Sequence, residues 1–168
     1  MKKTSTINRL LSLVLCICMV LSLVPASALS VFAMDSAYPY AEVDAEAGTV
    51  TIDGTLGGKT DATEEDLTAL VNAIKSYVEN GITTVIVTGS QPAKLVMDGY
   101  LTPVVSLAFE QLTYAYQDEK IDSYWGTVDL IYQDVKEIVE YEFYVCDVLK
   151  SITLPKVTTV GDSGFWDC

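Results

Sequence analysis

Residues 146–168 read CDVLKSITLPKVTTVGDSGFWDC, and they match the residues before them when the chain is shifted by 22 positions. The shift aligns residues that are identical or of the same chemical type: Val157 with Val135, Val160 with Ile138, Asp162 with Glu140, Phe165 with Phe143 and Cys168 with Cys146. A unit of this length cannot bury its apolar face alone, whereas stacking equivalent positions makes a continuous core. The match therefore predicts stacked coils at this end of the chain.

Strand-like segments also recur before the match. Their centres are Ile52, Ile86, Ile131 and Thr153, which lie 34, 45 and 22 residues apart. The segments are rich in β-branched and apolar residues and are bounded by turn-forming ones. Strands that recur along the chain are typical of a solenoid, in which a cap is followed by repeats of regular length. We expect the strands at Gly48–Ile52, Ile82–Val87, Val128–Tyr132 and Leu149–Pro155.

Two helices are predicted among these strands. Thr63 is a helix cap followed by three acids, which the positive end of a helix dipole favours. Its apolar stripe comprises Leu67, Leu70, Val71, Ile74 and Val78, and Asn80-Gly81 is the stop signal. A second helix should begin at Thr102 and Pro103 and bury Val104, Leu107, Ala108 and Leu112. Strand, helix and strand in this order imply a right-handed crossover between parallel strands.

The chain begins with the three-part layout of a secretory signal peptide. Lys2, Lys3 and Arg9 precede an apolar run over residues 10–24, which is too short for a comfortable membrane span. Small residues allow cleavage after Ala28 or after Ala33, and we favour Ala33. We expect a signal peptide over 1–33, a linker over 34–46, a β/α cap over 47–127 and repeats over 128–168, the last incomplete.

Charge narrows the range of partners. The chain has 10 basic and 23 acidic residues and no histidine, for a net charge of −13. Arg9 is the only arginine, and signal cleavage would make the mature chain still more acidic. Such a chain repels nucleic acid and anionic lipid headgroups, so neither is an expected partner, and no membrane span is expected after cleavage.

Residues 146–168 closely resemble the BspA-like leucine-rich repeat family. Its repeats pair a strand ending in Leu-Pro, here Leu154-Pro155, with a Val-x-x-Ile-Gly segment, here Val157 to Gly161, and an aromatic-to-cysteine tail. The resemblance is partial over 128–145 and only architectural before that. The family usually has alanine before the phenylalanine, where this chain has Glu142 and Gly164.

The resemblance implies an α/β fold: a leucine-rich repeat solenoid of parallel strands with an N-terminal β-α-β cap. It also implies a secreted or cell-surface protein with a role in adhesion, and no catalytic residues to carry over. The family usually continues for several repeats, so a truncated gene product is expected. We expect non-catalytic binding of an extracellular protein or glycan, without a cofactor or metal and as a monomer if folded.

Three groups of residues need a choice of interpretation. Cys146 and Cys168 could pair or bind metal, but their equivalent repeat positions favour two stacked, buried thiols. The acids at 61–66 could form a carboxylate pair for glycoside hydrolysis, but a helix start explains all of them. Tyr114, Tyr116, Tyr124 and Trp125 form a candidate ligand-contact surface, with half-burial in the core as the alternative.

Ten repeat positions are expected in the solenoid core: Val135, Ile138, Phe143, Cys146, Ile152, Leu154, Val157, Val160, Phe165 and Cys168.

Two alternative functions remain. One is a fragment of a secreted hydrolase, which the lack of histidine and of a Gly-x-Ser-x-Gly turn disfavours. The other is a non-functional truncation product of a longer repeat protein, because an open solenoid end has no partner coil.

Overall fold

The computed structural model of the protein describes residues 38–97 and 99–168. The predicted signal peptide, both cleavage sites and the first four residues of the predicted linker lie outside these residues. In chain order the elements are β1 (Ala41–Asp44), β2 (Thr49–Asp53), α1 (Glu64–Glu79), β3 (Thr84–Thr88), β4 (Lys94–Met97), β5 (Tyr100–Pro103), α2 (Val104–Glu119), a 3₁₀ turn (Asp122–Tyr124), β6 (Val128–Tyr132), β7 (Glu137–Ile138), β8 (Leu149–Thr153) and β9 (Thr159–Val160).

A five-stranded sheet in the order β1-β2-β3-β6-β8 organises the described part of the chain. Strands β2, β3, β6 and β8 are all parallel, and β1 pairs antiparallel with β2. The predicted mixed α/β class and the parallel β2-α1-β3 unit are confirmed. The five strands keep their chain order, so each lies next to the strand of this sheet that precedes it in the sequence.

The helices begin and end for local reasons. The Thr63 side chain accepts a hydrogen bond from the Asp66 N–H, the Asp66 carboxylate accepts one from the Thr63 N–H, and α1 ends at Asn80. Helix α2 has no side-chain cap, since its N-cap residue is Pro103 and not the expected Thr102. It ends at Lys120 in the left-handed conformation.

The core lies between one face of the sheet and the two helices. Alternate strand residues such as Val50, Val85 and Leu130 are fully buried, and so are Leu70 of α1 and Phe109 of α2. The Lys75 ammonium and the Glu119 carboxylate join the two helices at 2.6 Å. This packing places α1 and α2 side by side on the same layer.

Residues 128–168 form two successive turns of chain that stack at an offset of 22 residues. Strand β7 pairs parallel with β9, joining Glu137 to Thr159 and Ile138 to Val160, and β6 pairs with β8 at the same offset from Asp129 onward. The backbone conformation repeats as well, because Tyr141 and Ser163 have φ of 54° and 51°, and Val145 and Asp167 have φ of 50° and 53°. The second turn therefore copies the path of the first.

Two elements differ from the sequence-based expectation. Part of the predicted linker, Ala41–Asp44, is strand β1, which covers the outer edge of β2. The hairpin of β4 and β5 precedes α2 and was not expected. Both have mixed polar and apolar residues over only four positions, which is too short for a periodic signal.

The residues predicted for the repeat core are buried in the first turn and more exposed in the second. Val135, Ile138, Phe143 and Cys146 are buried, whereas Ile152, Leu154 and Val157 are partly buried. Val160, Phe165 and Cys168 are exposed, so their assignment to the core is corrected. The physical reason is that burial needs a layer on each side, and no described residue covers the second turn.

Candidate functional site

The predicted aromatic surface does not form one patch. Tyr116 is fully buried and stacks on Tyr124 with ring centroids 4.8 Å apart, so it belongs to the core. Trp125 is 43% exposed after the 3₁₀ turn. Tyr114 lies elsewhere, because residues two positions apart on a helix do not share a face. Tyr114 lines a cavity.

That cavity, which we call the tyrosine cleft, is where three segments meet and has a volume of about 430 Å³. The β4–β5 hairpin supplies Met97, Tyr100 and Thr102, and helix α2 supplies one face; the first stacked turn supplies Tyr141 and Tyr144. The residues from α2 are Leu107, Glu110, Gln111 and Tyr114, which follow the helical spacing of a single face.

The ring of Tyr141 stands at a steep angle to two aromatic neighbours, Tyr100 and Trp166. The ring centroids of Tyr100 and Tyr141 are 5.2 Å apart with planes inclined by 68°, and those of Tyr141 and Trp166 are 6.4 Å apart at 62°. Tyr141 is held by its left-handed backbone and by a 3.3 Å hydrogen bond that its N–H donates to the carbonyl of Asp162. The second turn thus fixes a residue of the cleft.

The cleft combines aromatic faces with negative charge. Burial raises the pKa of the Tyr114 hydroxyl, and the Glu110 carboxylate raises it further. Tyr114 is therefore neutral at physiological pH. Among the described residues that line the cleft, Glu110 is the only charged side chain.

The two cysteines influence each other across the stacked turns. Both are free thiols; Cys146 is buried and Cys168 is exposed, which corrects the expectation of two buried residues. The Cys168 side chain raises the pKa of Cys146, and burial adds to this effect. Interaction with Cys146 lowers the pKa of Cys168 to about 7.

Glu142 is a buried carboxyl group next to the cleft residues Tyr141 and Tyr144. It is 1% exposed, and one of its oxygens accepts a 2.8 Å hydrogen bond from the Val139 N–H. Burial raises its pKa to about 7. Glu142 is therefore a buried ionisable group beside the cleft.

A second, open cavity of about 720 Å³ lies beside the loops that follow β2 and β3. Its lining includes three basic residues, Lys59, Lys94 and Lys136, and two acidic ones, Asp61 and Glu137. Lys59 already pairs with Asp66 at 2.7 Å. Opposite charges alternate there, so this cavity favours no particular ligand charge.

Other kinds of site find no support in the described residues. Over 38–97 and 99–168, no three histidine, cysteine, aspartate or glutamate side chains are grouped so that they could hold a metal ion. Within the same ranges, both helices are too short or too polar to cross a membrane. The Asp61–Asp66 acids lie at the start of α1, where Asp66 takes part in the capping box.

Sequence reasoning found Tyr114 but missed the other tyrosines of the cleft. Tyr141 and Tyr144 flank the buried Phe143, and that spacing was the available signal. Tyr100 comes from the hairpin that periodicity did not reveal. No family model, curated protein or solved structure matches this chain significantly.

Proposed function

We propose that this chain is a secreted or cell-surface leucine-rich repeat protein of the BspA-like type that acts as a non-catalytic module for binding extracellular protein or glycan. The tyrosine cleft is its ligand site. The 22-residue register between successive turns supports the repeat assignment, because it joins Asp129 to Ser151 and Glu137 to Thr159. The earlier β/α part supplies the cap.

The observation that carries the binding function is the cleft at the junction of cap and repeats. Tyrosine offers a flat apolar face and a polar edge at a small cost in conformational entropy, which suits recognition of a partner. Tyr100 and Tyr144 are both exposed, so a ligand can reach them. The rings are held between packed elements, which reduces the ordering cost of binding.

Binding of the full chain to a panel of immobilised matrix proteins and glycans tests this proposal. We expect Tyr144→Ala to weaken the strongest interaction by about tenfold or more, as for a buried anchor at an interface. Trp125→Ala is the matched control, since Trp125 is also an exposed aromatic residue but lies outside the cleft. Equal binding by wild type and the Tyr100→Ala and Tyr144→Ala variants would refute the cleft as the ligand site.

A further inference from the structure

We propose that the tyrosine cleft selects a cation, namely the ammonium or guanidinium group of a lysine or arginine side chain in an extracellular protein partner. This inference rests on the proposed binding function and names its ligand chemistry. It is carried by four tyrosines and one carboxylate, Glu110, gathered around a single cavity.

The faces of aromatic rings attract cations. The π electrons make each face negative, and a cation within about 6 Å of the ring centroid is stabilised. The protein already contains such a contact, because the Lys75 ammonium lies 5.7 Å from the ring centroid of Tyr116. In the cleft the tyrosine rings are present, but the described lining residues include no lysine or arginine.

The surrounding charge favours the same ligand. Glu110 acts electrostatically on both Tyr114 and Cys146, and Asp147 acts on both as well. The whole chain carries a net charge of −13. A cation is therefore drawn towards this surface, and an anionic group is repelled.

Ring geometry distinguishes a cation from a sugar. A pyranose ring stacks on one open aromatic face, whereas a compact cation is enclosed by several walls. Tyr141 meets Tyr100 at 68°, so these two lining rings form walls at a corner and not a platform. The volume of about 430 Å³ is also ample for the end of a lysine or arginine side chain.

Titration calorimetry of the full chain with three probes tests the proposal. The probes are a short peptide with one central lysine, the same peptide with that lysine acetylated, and a chitin oligosaccharide. We expect the lysine peptide to bind at least about tenfold more tightly than the acetylated one, because acetylation removes the charge. Added salt should weaken the interaction.

Variants locate the effect in the cleft. Glu110→Gln and Tyr144→Ala should each weaken binding of the lysine peptide by about tenfold, whereas Tyr144→Phe, which keeps the aromatic face, should bind nearly as wild type. Asp118→Asn is the matched control, since Asp118 is an exposed acid on the same helix outside the cleft. Circular dichroism and thermal melts establish that each variant is folded.

Equal binding of the two peptides, or no binding of the lysine peptide at about 10 mM, would overturn the cation assignment. Tyr144-dependent binding of the oligosaccharide alone would also overturn it, but would leave the proposed binding function standing. Peptide binding that the Glu110 and Tyr144 variants do not change would overturn both, because the ligand would then lie outside the cleft.

Discussion

Phe143 and Phe165 lie face to face, with ring centroids 5.4 Å apart and planes inclined by only 2°. Equivalent residues of two successive turns thus form a column. Phe143 is fully buried and also contacts Tyr132 edge to face, with centroids 5.6 Å apart. Phe165 is 38% exposed. The two members of the column therefore contribute unequally to stability.

Truncation of the two rings should show this inequality. Phe143→Ala removes a fully buried ring and should lower the free energy of unfolding by about 3–5 kcal/mol. Phe165→Ala removes a partly solvated ring and should cost about 1 kcal/mol. Urea titrations of the full chain measure both values. Equal losses would show that the second turn is packed as tightly as the first.

Gly161 should tolerate no larger side chain. A Cβ added there would lie 2.6 Å from the backbone nitrogen of Glu140 in the preceding turn, and backbone cannot move aside cheaply. We expect Gly161→Ala to separate the two turns and to cost about 2 kcal/mol or more. Gly164→Ala is the comparison, because its nearest contact would be a side-chain carbon of Ile138 at 3.1 Å. Thermal melts should rank Gly161→Ala as the less stable variant, and the reverse order would contradict the close approach of the backbones.

Glu142 should make stability depend on pH. Its pKa is about 7 in the folded protein against an ordinary value of 4.5, so the folded state holds a proton that the unfolded state releases. Stability attributable to this group should therefore fall as the pH rises from 4.5 to 7, by up to about 3 kcal/mol.

Glu142→Gln removes this titration and keeps an acceptor for the Val139 N–H. The variant should be more stable than wild type at pH 8 and similar to it at pH 4.5, as measured by urea titrations at both values. Glu140→Gln, an exposed neighbour, is the control and should leave the wild-type profile unchanged. A wild-type profile parallel to that of Glu142→Gln would refute the raised pKa.

The two thiols should react at very different rates. Cys168 is exposed with a pKa of about 7, so much of it is thiolate at neutral pH and should alkylate quickly. Cys146 is buried and should react only after denaturation. Mass spectrometry of iodoacetamide-treated protein between pH 6 and 9 measures both rates.

Removing the neighbouring thiol supplies the control for this assay. Cys146→Ala removes the neighbouring thiol that lowers the pKa of Cys168, so the alkylation midpoint of Cys168 should move to higher pH. An unchanged midpoint would show that the two side chains do not interact in solution.

Local pattern predicted much of the secondary structure. The β-branched run at Ile82–Val87 contains most of β3, and the strand predicted at Val128–Tyr132 is β6. Thr63 caps α1, and the 22-residue match recurs as the register of β7 with β9. These features depend on residues that are close in sequence or that recur at a fixed spacing, so periodicity and capping chemistry are enough to find them.

Only tertiary packing decided the rest. The polar strand β1 needs the edge of β2 to form, and the tyrosine cleft needs a hairpin, a helix and a turn of the repeat to meet. Burial likewise depends on what covers a residue: Cys146 and Cys168 are equivalent in sequence, yet one is buried and the other exposed. Sequence thus determined which residues repeat, and the stacking of layers decided which of them water can reach.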